Sequence, residues 1–308
     1  MTAISTYSNE QLQLRGAGMV ALSGSLYGFI GYFGTKLMHS DIPIVAMLFW
    51  RFFLASLWIM GTFFFQERPR TLPAQRFWLQ LKTIASMIVA YTASTFLYFT
   101  AAQYIGTGTA MVIFFAFPVF VTIFAWCLTD WKMNMHALLS LLIVVMGLIF
   151  LKGWGMHSLN VAGVLIALGS AFSYATYVYT CQHSVRTIHS LWLSFYICFG
   201  NAAIFFIVAL STHQFAFPHA LSIWMDALAL GIIATALPVQ LMLNGLKYIS
   251  SIKASILTVL EPIVTVLIGL SLLHEPMTWI QMLGVIIVLL GALLIQFERG
   301  ADQVMELH

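Results

Sequence analysis

Charged side chains are scarce in this sequence. Asp, Glu, Lys and Arg make up 7% of the 308 residues, whereas 61% are hydrophobic and the mean hydropathy is +0.95. Soluble domains carry about 25% charged residues, so a globule of this composition has too little polar surface to cover itself. The composition therefore excludes an ordinary soluble domain and predicts a protein whose outer surface is solvated by lipid.

Cysteine and catalytic motifs are also scarce. The three cysteines, Cys127, Cys181 and Cys198, lie in or beside apolar runs without metal-ligand spacing, and an odd, dispersed set provides no disulfide framework. The nine histidines include no HExxH-like pair, and no P-loop is present. A membrane-embedded enzyme needs clustered His, paired acids or an activated nucleophile at membrane depth. We therefore expect no metal site and no cofactor, and a protein that is not an enzyme.

Long apolar runs are what the sequence does contain. One bilayer crossing takes about 20 apolar residues, and continuous runs of this length predict helices, not the alternating strands of a barrel. We expect an all-α integral membrane protein with about ten transmembrane spans, numbered in chain order. They lie near residues 16–38, 43–65, 79–103, 106–128, 134–152, 160–182, 190–211, 222–247, 250–272 and 276–297.

The basic residues predict how these spans are oriented. With a cytoplasmic N-terminus, ten of the 13 Lys and Arg residues lie on the cytoplasmic side, Arg51 lies within span 2, and only Lys36 and Lys152 lie in outer connections. Such an excess is typical of cytoplasmic loops. We therefore expect both termini in the cytoplasm of a multi-pass protein of the cell (inner) membrane. The net charge of +3 reflects these bases, so we expect no nucleic-acid partner.

An internal repeat divides the chain into two halves, residues 1–152 and 153–308. A shift of 144 residues places Tyr104 over Tyr248 and Pro118 over Pro262. Each half holds five predicted spans, and because five is odd, the second half enters the membrane with opposite polarity. Inverted repeats of this kind are typical of transporters that open one midplane site to each side in turn.

Particular motifs carry a family resemblance over essentially the whole chain. They are WRFFLA at Trp50–Ala55, the spacing from Ala110 to Pro118, and Glu261–Pro262 followed by Glu275. On these residues the chain resembles the EamA-type members of the drug/metabolite transporter superfamily. The resemblance implies a central cavity lined mainly by spans 1–4 and 6–9, with spans 5 and 10 at the periphery.

The first half departs from the pattern of the second. Phe117 and Trp131 stand where the second half has Glu261 and Glu275. A function that requires paired carboxylates across the two repeats is therefore in doubt.

Arg51 and Glu261 are the charged residues that we place deep in the membrane. Arg51 lies about eight residues into span 2, roughly 12 Å deep at 1.5 Å per residue, and Glu261 lies near the middle of span 9. A charge at this depth must face protein or water. Arg51 either attracts an anionic group of a substrate, or caps carbonyls or pairs with an acid. Glu261 either binds an amine, accepts a proton or pairs with Arg51, or hydrogen-bonds the backbone that Pro262 opens.

Polar and aromatic side chains recur at helical spacing in other spans. Such faces must point away from lipid, where they either line a cavity or join helices by hydrogen bonds. Because tyrosines are prominent, we favour a cavity wall for an aromatic or amphipathic solute. The further candidate substrate-binding residues are Tyr91, Thr95 and Tyr98 in span 3, Tyr177 in span 6, and Gln240 and Asn244 in span 8.

Glycines recur along one face of span 1, at Gly24, Gly28, Gly31 and Gly34. Small residues at this spacing let helices approach closely. We favour a packing role, and the alternative is a flat face along which span 1 slides during gating.

These features together predict a secondary transporter that is driven by gradients. We expect it to move small amphipathic metabolites, with amino acids or their derivatives as the first choice, because Arg51 and Glu261 match a carboxylate and an ammonium group. The alternatives are a broad-specificity exporter of apolar or cationic compounds and a non-transporting membrane scaffold. The expected partners are the small-molecule substrate and membrane lipid, and both a monomer and a homodimer remain open.

Overall fold

Helices make up the regular structure of this protein. The computed structural model describes residues 9–63, 74–128, 135–152, 160–185, 187–272 and 279–296, and no β-strand occurs within these ranges. The elements are α1 (Asn9–Tyr27), α2 (Phe29–Met38), α3 (Ile44–Thr62), α4 (Ala74–Ile105), α5 (Thr107–Phe114), α6 (Phe117–Leu128), α7 (Met135–Lys152), α8 (Val161–Ser184), α9 (Ser190–Ser211), α10 (Leu221–Gly231), a π-helical turn (Ile232–Ala236), α11 (Leu237–Gly245), α12 (Ser251–Leu257), α13 (Leu260–Leu272) and α14 (Trp279–Gln296).

The helices correspond one by one to the predicted spans. Spans 2, 3, 5, 6, 7 and 10 are the single helices α3, α4, α7, α8, α9 and α14, and each of spans 1, 4, 8 and 9 is interrupted. The prediction of an all-α membrane protein with ten spans in two inverted sets of five is confirmed. The side of the membrane that holds the termini and the division of the chain after residue 152 stay predictions.

Five helices among the described residues are each long and apolar enough to cross a bilayer as one continuous helix. They are Ile44–Thr62, Gln80–Ile105, Val161–Ser184, Ser190–Ser211 and Leu221–Gly245, the last including the π-helical turn. Their lengths agree with the roughly 20 residues that a 30 Å hydrocarbon layer requires.

Spans 4 and 9 are interrupted at matching positions, and proline explains both breaks. Proline has no N–H and its ring crowds the carbonyl four residues earlier. For Pro118, that carbonyl belongs to Phe114, the last residue of α5. For Pro262, it belongs to Thr258, directly after α12. The Thr258 carbonyl instead accepts a hydrogen bond from the Glu261 amide at 2.9 Å. The repeat seen in the sequence is thus present in the backbone.

Span 8 contains a widened turn that the sequence analysis did not predict. Between α10 and α11, the Leu237 amide bonds the carbonyl five residues earlier, at Ile232, which is the pattern of a π-helical turn. Pro238 follows directly, and its missing N–H cannot continue the usual ladder of hydrogen bonds. We therefore attribute the widened turn to Pro238.

The glycine face of span 1 packs on span 9. A Cβ atom built on Gly24 would lie 2.9 Å from the Thr258 Cα, and one on Gly28 would lie 2.7 Å from the Val264 Cβ. No larger side chain fits at these distances. The packing role predicted for this face is therefore confirmed for Gly24 and Gly28.

Spans 5 and 10 pack chiefly against each other, as α7 and α14. The Ser140 hydroxyl donates to the Gly291 carbonyl at 2.6 Å, and a Cβ on Gly291 would meet the Val144 side chain at 2.7 Å. This pairing fits the peripheral position that the family resemblance implies. Glu275 and Trp131 lie outside the described residues.

Candidate functional site

Arg51 is anchored on one side by the widened turn of span 8. It is the eighth residue of α3, it is 2% exposed, and its Nε donates to the Thr235 hydroxyl at 2.7 Å. The Thr235 hydroxyl in turn donates to the Leu230 carbonyl at 2.8 Å, and the guanidinium carbon lies 5.1 Å from the centre of the Phe52 ring. The π-helical turn therefore orients the only arginine that we place within a span.

The two terminal nitrogens of the Arg51 guanidinium make no hydrogen bond with a described residue. The hydrogen bond from its Nε is its only one to that part of the chain, and it forms no ion pair there. Among the described residues, Arg51 thus neither caps a carbonyl nor pairs with an acid, which was the alternative to substrate binding in the sequence analysis.

Glu261 lies in the first turn of α13, directly after the break in span 9. Its side chain is partly exposed. Its carboxylate makes no hydrogen bond with a described residue. The partial positive charge of a helix N-terminus favours an anion at this position.

Arg51 and Glu261 share one interior region without forming an ion pair. Their side-chain nitrogen and oxygen atoms are more than 4.0 Å apart. The Phe52 ring lies 5.1 Å from the Arg51 guanidinium carbon and meets Tyr91 edge-on. The Tyr91 hydroxyl lies 3.4 Å from that of Tyr27, whose neighbour Gly28 packs against the Glu261 carbonyl. Tyr91 therefore connects the ring that packs on Arg51 to the backbone that carries Glu261.

Tyr91 is the centre of an aromatic wall formed by spans 1, 2, 3 and 6. Its ring stacks on Tyr177 at 4.5 Å with an interplanar angle of 11°, and it meets Phe52 edge-on at 5.4 Å. Its hydroxyl lies 3.4 Å from that of Tyr27, with either as donor. The predicted residues Tyr91 and Tyr177 are thus brought together.

Tyr98 continues this wall toward span 4. Its ring contacts Phe114 at 5.6 Å, and Phe114 contacts Tyr174 at 5.2 Å. Tyr98, like Glu261, is only partly exposed. Thr95 lies one turn before Tyr98 on α4 and is buried, so these two predicted residues share an inward face.

Gln240 and Asn244 have different surroundings from the other candidates. The Asn244 side chain accepts hydrogen bonds from the Ser190 hydroxyl at 2.7 Å and the Lys247 ammonium at 3.2 Å, and it donates to the Gln240 carbonyl at 2.9 Å. Asn244 thus joins the end of span 8 to the start of span 7. The Gln240 Nε2 is buried and lacks a partner among the described residues.

The sequence analysis did not select several residues that the structure places at the site. Thr235 binds Arg51, and Tyr174 is in contact with Phe114, Phe117 and Tyr177. Tyr174 lies three residues before Tyr177 on the same helical face, so its position was available from helical spacing. Thr235 had only the nearby Pro238 as a signal.

No group of metal-ligating side chains occurs in the part of the chain that the structure describes. The site therefore consists of two separated opposite charges, an aromatic wall and scattered hydroxyl groups. Such an arrangement is suited to binding an amphipathic molecule that carries charges of its own.

Comparisons with known proteins agree with this architecture. The profile of the EamA-like transporter family matches residues 14–152 and again residues 161–297. One solved crystal structure, described only as a protein, superimposes with a TM-score of 0.77 and 14% identity over 94% of this chain and 98% of that one. At this identity the likeness shows the fold alone.

Curated relatives are named as uncharacterized transporters. YcbK of Bacillus subtilis is 25% identical over 66% of this chain and 68% of its own length. A protein of Archaeoglobus fulgidus is 26% identical over 69% of this chain and 76% of its own, and sll1319 of Synechocystis is 28% identical over 66% and 63%.

Proposed function

This chain belongs to the EamA-like transporter family, and we propose that it is a secondary transporter of small amphipathic metabolites. Amino acids or their derivatives are the first expected substrates. The proposed location is the cytoplasmic membrane, with both termini in the cytoplasm, because the basic residues are concentrated on that side. The family and its named relatives make a membrane transporter the functional class.

One observation carries the choice of substrate. Arg51 and Glu261 belong to the same interior region at positions more than 4.0 Å apart, and neither has an ion-pair partner among the described residues. Buried charges are costly unless they are paired. A zwitterion supplies a carboxylate to Arg51 and an ammonium group to Glu261, so one ligand neutralises both.

Alternating access is the proposed mechanism, and the interrupted spans support it. In inverted-repeat transporters the midplane site is formed by discontinuous helices, whose ends and unwound backbone contact the substrate. Here Glu261 follows the break in span 9, and Thr235 belongs to the widened turn of span 8. Movement of one repeat against the other then exposes this site to each side in turn.

Flux from proteoliposomes tests the proposal. Vesicles containing the protein are loaded with a pooled metabolite extract, and mass spectrometry identifies compounds that leave faster than from protein-free vesicles. We expect selective loss of amino acids or related zwitterions. Arg51→Gln and Glu261→Gln should each lower transport efficiency for such a compound by about tenfold or more, because each removes a charge-assisted hydrogen bond.

The control is Lys36→Gln. Lys36 forms an exposed ion pair with Asp226 at 3.2 Å, and exposed pairs contribute little, so transport should remain within about twofold of the native rate. Loss of activity in Glu261→Gln alone, with cations as the exported compounds, would favour the broad-specificity exporter. No selective flux under imposed pH and voltage gradients would favour the scaffold.

A further inference from the structure

Phe117 and Glu261 occupy matching positions in the two repeats but differ in chemistry. The 144-residue shift that aligns Pro118 with Pro262 aligns Phe117 with Glu261. Phe117 begins α6 and Glu261 is the second residue of α13, so each lies at the start of the helix that follows a break. Because the repeats are inverted, these two helix starts approach the middle of the membrane from opposite sides.

Phe117 faces the interior and not the lipid. It is 1% exposed, its ring meets Tyr174 edge-on at 4.7 Å, and it lies 5.4 Å from the Phe114 ring. Phe114 also contacts Tyr98. Phe117 is therefore part of the same aromatic wall as the two tyrosines.

The aromatic wall also reaches the backbone that carries Glu261. A Cβ on Gly28 would lie 2.9 Å from the Glu261 carbonyl, the hydroxyl of the adjacent Tyr27 lies 3.4 Å from that of Tyr91, and the Tyr91 ring lies 6.0 Å from the Tyr174 ring. Tyr174 thus contacts Phe117 directly and is connected through Tyr91 and Tyr27 to the backbone at Glu261. The site has an anionic end, at Glu261, and an apolar aromatic end, at Phe117.

This asymmetry limits what the end near Phe117 accepts. A second ammonium group placed there loses its hydration and finds aromatic faces but no carboxylate, and the attraction of a cation to aromatic rings offsets only part of that loss. An alkyl or aromatic end instead gains affinity as its surface is buried, by roughly fourfold for each methylene group.

We infer that Phe117 is a specificity-determining residue, which makes the site select solutes with one amino group and an apolar end over diamines. The inference rests on the proposed transport of amino compounds and specifies their class. A carboxylate in both repeats would give a site with two ammonium positions, and Phe117 removes one of them.

The native protein gives the first test. Transport of an amino acid identified in the flux experiment is measured in competition with n-hexylamine, n-butylamine, 1,6-diaminohexane and 1,4-diaminobutane. We expect each monoamine to compete at least about tenfold better than the diamine of the same length, and inhibition to strengthen by roughly fourfold per methylene. Equal inhibition by monoamine and diamine would overturn the inference.

Phe117→Glu restores the second carboxylate, and Phe117→Gln is the matched control of similar size without the charge. We expect Phe117→Glu to bring the diamines at least about tenfold closer to the monoamines, whereas Phe117→Gln weakens the longer monoamines without improving the diamines. The same gain in both variants would overturn the inference, because the charge would then not matter.

The outcomes separate this inference from the proposed function. If Phe117→Glu does not fold into a monodisperse protein, the native comparison and Phe117→Leu remain. The smaller apolar leucine should reduce the gain in affinity for each methylene group of the monoamine, and it should keep the preference for monoamines over diamines. Amino acid transport without selection between monoamines and diamines overturns the specificity inference alone. Absence of any amine inhibition or amino acid flux overturns both.

Discussion

Gly28 shows how single residues set the distance between the first and ninth spans. The Thr265 hydroxyl donates to the Gly28 carbonyl at 3.0 Å, where span 1 is interrupted, and it lies at the same distance from the Glu261 carbonyl. A Cβ at position 28 would also meet the Glu261 carbonyl at 2.9 Å. Gly28 therefore supports the backbone that carries the candidate carboxylate.

Gly28→Ala should destabilise the protein by about 1–3 kcal/mol, as overpacking of a filled interface does. The added methyl group would lie 2.7 Å from the Val264 Cβ, which belongs to a stiff, branched side chain. The measurement is the thermal unfolding midpoint in detergent. Gly18→Ala is the control, because no atom lies within 4 Å of a Cβ there and alanine favours helix. Equal midpoints for the two variants would contradict the packing account.

At the scale of helices, prolines produce irregularities that serve the site in two ways. In span 9, Pro262 interrupts the helix so that Glu261 lies in the first turn of α13. In span 8, Pro238 follows a π-helical turn whose extra residue per turn brings Thr235 to Arg51. Irregular turns of this kind frequently occur at functional sites.

Pro238→Ala should separate activity from stability. Alanine restores an N–H and a regular helix becomes favourable, so the turn loses its extra residue and Thr235 rotates by about 100° around the helix axis. We expect transport efficiency to fall by about tenfold or more as the charge-assisted hydrogen bond to Arg51 is lost. The unfolding midpoint should stay the same or rise, because proline within a helix is unfavourable.

The control is Pro43→Ala. Pro43 precedes α3 as its N-cap residue with a φ of −56°. Its carbonyl accepts a hydrogen bond from the Met47 amide at 2.9 Å, which alanine preserves, so transport should be unchanged. A fall in stability together with activity in Pro238→Ala would indicate general disruption and not a change in the turn.

At the scale of the whole molecule, matching segments of the two repeats are buried unequally. All residues of α12, Ser251–Leu257, are buried, and the Ser251 amide donates to the Gln182 side chain at 2.8 Å. The residue matching Ser251 in the first repeat is Thr107 at the start of α5, which is exposed. Because the repeats are inverted, these residues belong to opposite ends of the molecule. The contact between spans 6 and 9 thus closes the end of the molecule at which α1 begins.

Gln182→Ala should shift the equilibrium toward the state in which the end containing Ser251 is open and the end containing Thr107 is closed. In a background with Cys127, Cys181 and Cys198 replaced, single thiols are introduced by Ser251→Cys or Thr107→Cys and labelled with a maleimide. Because alternating access couples the ends, Gln182→Ala should raise labelling of the thiol at position 251 and lower that at position 107. An impermeant reagent applied to intact cells should reach only position 107 if the termini are cytoplasmic.

Gln103→Ala is the control, because Gln103 is exposed near the end of α4, and it should change neither rate. An increase at position 251 without a decrease at position 107 would mean that Gln182→Ala loosens one end locally. That result would count against reciprocal movement of the repeats.

The sequence by itself determined the class, the spans and the repeat. Bilayer thickness imposes a length on each apolar run, so positions along the chain are enough to locate helices such as α3 and α9 near the predicted residues. Helical spacing also placed Tyr91 and Tyr98 on an inward face, because polar groups must avoid lipid. These properties depend on the order of residues along the chain and not on which segments pack against each other.

Only the tertiary structure decided which inward-facing groups meet. Arg51 binds Thr235 and not Glu261, and Asn244 joins helix ends at Ser190. A helical period specifies a direction from the axis, but it does not specify the partner found there. That partner depends on helix rotation, on the widened turn before Pro238 and on the close approach at glycines, which are set by packing between segments far apart in sequence.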